Sequence, residues 1–207
     1  MKEYIVNKYS KMIDWSIVKP LIINEFPWYD KGLKQETFVQ VAICDKVLHI
    51  KVKAIDCHSS AEILEDNGSV YLDSCFEFFV TPENNLSESY INFEINCVGN
   101  LYLAVRDKCS KRRAVKAELD QVKIRSSLPY KRIKKVSPKD DYWSLDIEIP
   151  LKFLETFYGR KIDTQCWYGN FYRIGGKLDD QYGTWNWVET DKPDFHQPLQ
   201  FGKITLV

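Results

Sequence analysis

Two indoles lie two residues apart near the end of the chain, Trp185 and Trp187, in the stretch CWYGNFYRIGGKLDDQYGTWNWVETDKPDFHQPLQFGKITLV. In an extended segment, residues i and i+2 point to the same side. Both rings are therefore expected on one face, with Thr184, Asn186 and Val188 on the other. Paired indoles beside Asn, Asp and His side chains make a platform for a flat apolar ring edged with hydroxyls, which describes a sugar. The competing use of a Trp in a β-protein is core packing, because large aromatics dominate buried area.

The polar candidates sit in aromatic strand patterns. Glu77, Asn92, Glu94, Asn96 and Arg173 can hydrogen-bond sugar hydroxyls, and a few such groups in a concave site fix orientation. An unpaired charge between aromatic neighbours is costly, so a buried ion pair tying two strands together is the favoured use of Arg173 and Glu77. Two carboxylates across a cleft also suit a glycosidase, at separations of roughly 5–9.5 Å. Glu77 and Glu94 are the candidates for that chemistry, although any acidic β-protein offers such a pair. No Gly-rich phosphate loop, nucleophile elbow or metal triad appears in the sequence. His196, in the segment FHQP, is expected to anchor its loop by a hydrogen bond. Met1 and Met12 are the only methionines and lie outside the strand patterns, which argues against a Met/His-ligated haem.

Strands must position these groups. Runs at 37–43 and 47–54 flank Asp45-Lys46, the signature of a tight hairpin. Leu48, Ile50, Val52 and Ala54 alternate with His49, Lys51 and Lys53, as in a sheet with one wet face. A polar loop at 56–70 carries the turn signal Asn67-Gly68. Strands follow at 75–80, 90–97 and 101–106. In the second, Ile91, Phe93, Ile95 and Cys97 face one way and Tyr90, Asn92, Glu94 and Asn96 the other. A turn at 137–141 leads into an amphipathic strand with Trp143, Leu145, Ile147 and Ile149 on one side. Pro150 then opens one short helix, LKFLETFY. Final strands are expected near 166–174, 184–189 and 200–206. Residues 1–36 read as an irregular arm with one short edge strand. About ten short strands and one helix indicate an all-β chain, an antiparallel β-sandwich of jelly-roll or immunoglobulin-like type. With no repeat, low-complexity segment or linker, residues 1–207 read as one domain, with 1–36 packed on it.

Composition narrows the function classes. Lys plus Arg and Asp plus Glu both total 29, so net charge gives no bias toward nucleic acid or anionic membrane. The charge is nonetheless segregated. Between Lys53 and Arg106 there is no Lys or Arg, whereas Arg106, Lys108, Lys111, Arg112, Arg113 and Lys116 open a basic block that runs to Lys135. Lysines there alternate with Val122, Ile124, Ile133 and Val136, as on the solvated face of two hairpin strands, and stacking aromatics are scarce. No run approaches the roughly 20 apolar residues of a membrane span. The beginning of the chain carries no apolar signal region, so the sequence as given reads as soluble and cytoplasmic. The six cysteines form no CxxC pair and are expected to be buried free thiols.

Three segments carry a resemblance. They are SVYLDSCFEFFV at 69–80, YINFEIN at 90–96 followed by Gly99, and a C-terminal set of NFYR at 170–173, Thr184-Trp185, FHQP at 195–198 and Phe201-Gly202. With the W-x-L-x-I-x-I-P strand at 143–150 between them, the chain from about residue 37 onward resembles family 9 carbohydrate-binding modules attached to xylanases. It is more similar still to stand-alone family 9-like relatives in the superfamily of DOMON-type sandwiches. The resemblance implies a jelly-roll-like sandwich that binds the end of a glucan or xylan chain between two tryptophans, without chemistry of its own, and carries structural calcium. Residue by residue, the clamp falls on Tyr71, where the family uses Trp, and on Trp185, with Trp187 as its substitute. Asn92, Glu94 and Arg173 become its polar partners. The acidic stretch that ligates calcium is matched by Glu65, Asp66 and Asp73. A glycoside-processing enzyme or its accessory subunit, and an interaction domain with a decayed sugar site, are the alternatives.

Overall fold

In the hairpin at Asp45-Lys46, both turn residues adopt positive φ, 48° and 62°, as a two-residue turn of matching twist requires. The computed structural model describes residues 1–29, 32–135 and 141–207, so the turn expected at 137–141 and Val136 lie, except for Asp141, outside the described residues. Fifteen strands are seen among them. They are β1 (Glu3–Tyr9), β2 (Leu21–Ile23), β3 (Thr37–Cys44), β4 (Val47–Ile55), β5 (Ser60–Ala61), β6 (Cys75–Thr81), β7 (Tyr90–Asn96), β8 (Leu101–Arg106), β9 (Lys111–Arg113), β10 (Lys123–Ser126), β11 (Ile133–Lys134), β12 (Tyr142–Pro150), β13 (Cys166–Ile174), β14 (Tyr182–Thr184) and β15 (Gly202–Leu206). Helix α1 (Lys116–Leu119) is an addition to the one expected, which forms as α2 (Leu151–Tyr158). Gly159 caps α2 in the left-handed conformation at φ 78°, which costs a glycine nothing.

The strands build a β-sandwich of two layers joined through one strand. The first runs β9-β8-β7-β6-β13-β15-β1, with β14 on β13; the second runs β1-β3-β4-β12-β10, with β2 on β3. Glu3 to Val6 of β1 pair with β15 and Asn7 to Tyr9 pair with β3, both in parallel. Every other pairing among the described strands is antiparallel. The N-terminal segment is therefore not an arm: β1 is the element shared by both sheets. Its inward positions, Tyr4 and Val6, are separated by the exposed Ile5, so the apolar run YIV shows no alternation in the sequence.

The core lies between the layers. Phe78 stacks on Phe171 at 4.7 Å and on Phe93 at 6.0 Å, facing Trp143, Leu145 and Ile147 from the second sheet. One ion pair sits inside it. Arg173 of β13 reaches Asp56, just after β4, at 2.6 Å, and both side chains are buried. Trp143 donates its indole N–H to the same carboxylate oxygen at 2.7 Å, and the guanidinium lies 5.1 Å over the Trp143 ring. The expected pairing of Arg173 with Glu77 does not form, because adjacent registers place them on opposite faces. Arg173 opposes Phe76, and Glu77 opposes Tyr172. The two hairpin strands expected in the basic block are also re-paired, β10 onto β12 and β11 onto β5. The six cysteines are free, and all but Cys109 are buried. No helix among the described residues is long and apolar enough to cross a membrane.

Candidate functional site

Register assembles the site on the outer face of the first sheet. Glu77 of β6 opposes Tyr172 of β13 on one side and Glu94 of β7 on the other, and Glu94 opposes Tyr102 of β8. One row therefore reads Tyr172, Glu77, Glu94, Tyr102. Strand alternation adds Phe79, Asn92, Ala104 and Arg106 to the same face. At the edge, Ala104 pairs with Arg113 and Arg106 with Lys111, which brings the cations of β9 alongside. This face is not wet. Val188, Phe195 and Phe201, from the segment leading to β15, pack over its Phe79, Tyr90 and Tyr172 as a second apolar cluster.

Where that cover stops, a cleft of about 410 Å³ opens. Tyr71, on the 3₁₀ turn Val70–Leu72, stands on its rim and is 49% exposed. Tyr182, Phe195 and Tyr102 supply further aromatic wall. Glu77 and Glu94 are buried where they meet the cleft, and Arg106, Lys111, Arg113, Asp194 and His196 complete the lining. The Tyr182 and Phe195 rings meet edge-on at 6.1 Å, and Phe195 stacks on Tyr172 at 4.1 Å, so this wall is braced from behind.

The floor is electrostatically tense. Burial pushes the Glu94 carboxyl up to about 7, opposed by Arg106 and by the Asn92 amide, which donates to Glu94 Oε1 at 2.6 Å. Burial and the neighbouring Glu94 charge raise Glu77 well above the usual carboxylate range. Two side-by-side carboxyls in low dielectric cannot both ionise easily, so the pair keeps a proton near neutral pH. His196 is held at about 4 by burial of its ring and repulsion from Arg106. The ring stacks on Phe79 at 5.2 Å and shares a 2.8 Å hydrogen bond with Tyr90, which is the loop anchor expected of it. Three buried polar atoms on this face have no partner among the described residues: Tyr102 Oη, Arg106 Nε and Asn92 Oδ1. Leaving such a group unmet costs roughly 1–3 kcal/mol, and clustering at a cleft marks a surface that a polar ligand completes.

The sequence-derived candidates separate accordingly. Tyr71 and Glu94 line the cleft, and Asn92 braces Glu94 from beneath. Trp185 does not reach it. Its ring is buried in the core, edge-on to Phe171 at 5.8 Å and to Tyr4 at 6.5 Å, and so presents no face to a ligand. Trp187 is half exposed but outside the cleft wall. The extended rule fails here because β14 ends at Thr184 and the chain bends at 185–186, sending the two indoles to different environments. Arg173 is on the inner face, committed to Asp56. Asn96 is structural, donating to Ile63 O at 2.8 Å and to Asp73 at 3.0 Å while accepting from the Asn100 amide.

The acidic candidates for calcium do not converge. Asp73 accepts from the amides of Glu62 and Ile63 and from Asn96, and Asp66 accepts from the Leu101 amide. These oxygens serve as loop acceptors, and among the described residues no three acidic, His or Cys side chains gather as a metal site. Glu65, Asp66 and Asp73 are thus not gathered into one acidic cluster. The sequence reading missed Tyr102, Arg106, Lys111, Arg113, Tyr182 and Asp194. A signal for two of them existed: Tyr102 and Arg106 share parity in β8, the strand beside the Glu94 row.

The model of carbohydrate-binding family 9 matches residues 7–206. Three solved structures share the fold. A candidate carbohydrate-binding protein from Bacteroides uniformis ATCC 8492 is 26% identical with a TM-score of 0.86, covering 100% of this chain and 99% of its own. A family 9 carbohydrate-binding module from Caldicellulosiruptor kristjanssonii in complex with glucose is 14% identical with a TM-score of 0.66, over 100% of this chain and 96% of its own. A family 9 module from the same organism in complex with cellotriose is 15% identical with a TM-score of 0.63, over 99% and 93%. No curated protein matches the chain.

Proposed function

Because the chain belongs to carbohydrate-binding family 9, we propose that it binds the end of a glucan or xylan oligosaccharide in the Tyr71 cleft and does no chemistry on it. The observation that carries this reading is the coincidence of exposed aromatic rim and unsatisfied polar floor. Tyr71 and Tyr182 offer ring faces for the apolar side of a pyranose, and Tyr102 and Arg106, which line the cleft, offer unmet hydrogen-bonding capacity. The solved modules that hold glucose and cellotriose support the choice of ligand class. Each stacked face contributes on the order of 1–3 kcal/mol, by analogy with base–aromatic stacking.

The non-catalytic part rests on how the acids are arranged. Glycoside cleavage needs carboxylates flanking the scissile bond, one protonated and one ionised. Glu77 and Glu94 are instead directly opposed on adjacent strands, side by side beneath the cleft. Both act from the same side, which suits hydrogen bonding to hydroxyls. Calorimetric titration with glucose, cellotriose and xylobiose tests the reading. Saturable binding that weakens about tenfold in Tyr71→Ala is expected. Release of nitrophenol from nitrophenyl glycosides, lost in Glu77→Gln, would overturn the non-catalytic assignment.

A further inference from the structure

One side of the cleft is more basic than a neutral sugar needs. Arg106, Lys111 and Arg113 all line it, and none makes a salt bridge with a described residue. Arg112, between them, points away to Glu118 at 3.0 Å, so the alternation of β9 sorts the paired cation from the unpaired ones. Lys111 and Arg113 both lean over the Tyr102 ring, at 5.9 and 5.4 Å, which aims their charge at the cleft. Arg106 Nε is buried and has no partner among the described residues.

The nearby acids cancel these cations only in part. Glu77 and Glu94, buried side by side, share a proton and so supply less than two full charges. Asp194 turns its oxygens to the His196 amide at 2.9 Å and the Gln197 side chain at 2.7 Å rather than to a cation. We infer that the cleft is built for a sugar ring bearing an anionic substituent, whose oxygens engage Arg106, Lys111 and Arg113 while the ring lies on the tyrosines. The inference rests on the sugar-binding reading and adds the class of ligand. A guanidinium fork suits a carboxylate or a phosphate equally in geometry, so a uronic acid and a phosphorylated sugar are its two sources.

The test is calorimetry of the full chain at pH 7.5 and low salt with glucose, glucuronate and glucose 6-phosphate, repeated in Lys111→Ala/Arg113→Ala. Both substituted side chains are exposed, and folding is expected to survive. At least one anionic sugar should bind about tenfold more tightly than glucose. That advantage should shrink with added salt and fall to the level of glucose in the double variant. Glucuronate leading identifies a carboxylate, and glucose 6-phosphate a phosphate. Equal affinity for all three, or an advantage unchanged in the double variant, overturns the inference and leaves the sugar-binding reading standing. Absence of binding by any sugar overturns both.

Discussion

Tyr71 and Trp185 were candidates for the same job, and burial separates them. One ring is half exposed at a cleft and the other is 4% exposed. Their substitutions should fail in different ways. Trp185→Ala is expected to destabilise the fold by about 3–5 kcal/mol, because it empties a packed site. Part of that site is shaped by Gly202, where a Cβ would lie 2.8 Å from Cη2 of the Trp185 ring. Urea denaturation measures this loss, whereas exposed Tyr71→Ala should stay within about 0.5 kcal/mol of the wild type. The sequence marks both as aromatics in a polar neighbourhood. A bend at 185–186 sends the Trp185 ring into the core, and nothing in that local composition encodes it.

At the scale of elements, local signals were most legible. The hairpin at Asp45-Lys46, β8 and helix α2 follow directly from period, turn type and caps. Long-range choices were not. That β1 bridges two sheets, and that Arg173 of β13 pairs with Asp56 beyond β4, depends on strand order across the whole chain. This ion pair ties the two layers together at the level of Trp143. Arg173→Met should therefore cost about 3–5 kcal/mol by stranding a buried carboxylate. Binding in the cleft should be kept wherever the variant remains folded, since the pair lies on the opposite face. A urea melt alongside a cellotriose titration distinguishes this from a role for Arg173 in the site.

For the whole molecule, charge that is segregated in sequence becomes adjacent in space. Glu77 and Glu94 come from the stretch without Lys or Arg, and Arg106, Lys111 and Arg113 open the basic block. Antiparallel pairing of β6, β7, β8 and β9 folds the one against the other. The acid pair makes stability depend on pH. A carboxyl raised in the folded state binds more protons there than in the unfolded chain, so its contribution is full below the unfolded value and lost as pH rises. For Glu94 that window runs from about 4.5 to about 7, and Glu77 falls in the same direction. The melting temperature should therefore decline between pH 5 and pH 8. Glu94→Gln should flatten that decline by about 3 °C or more, which calorimetric melts at the two pH values would show.

The central claim is where the sugar sits. Amide and indole chemical shifts of isotope-labelled protein, followed through a cellotriose titration, locate it directly. The cleft predicts saturable shifts at Tyr71, Glu94, Tyr102, Arg106 and Tyr182, with the Trp187 indole N–H unmoved. Shifts centred on Trp187 and its neighbours, with the Tyr71 cleft silent, would contradict it.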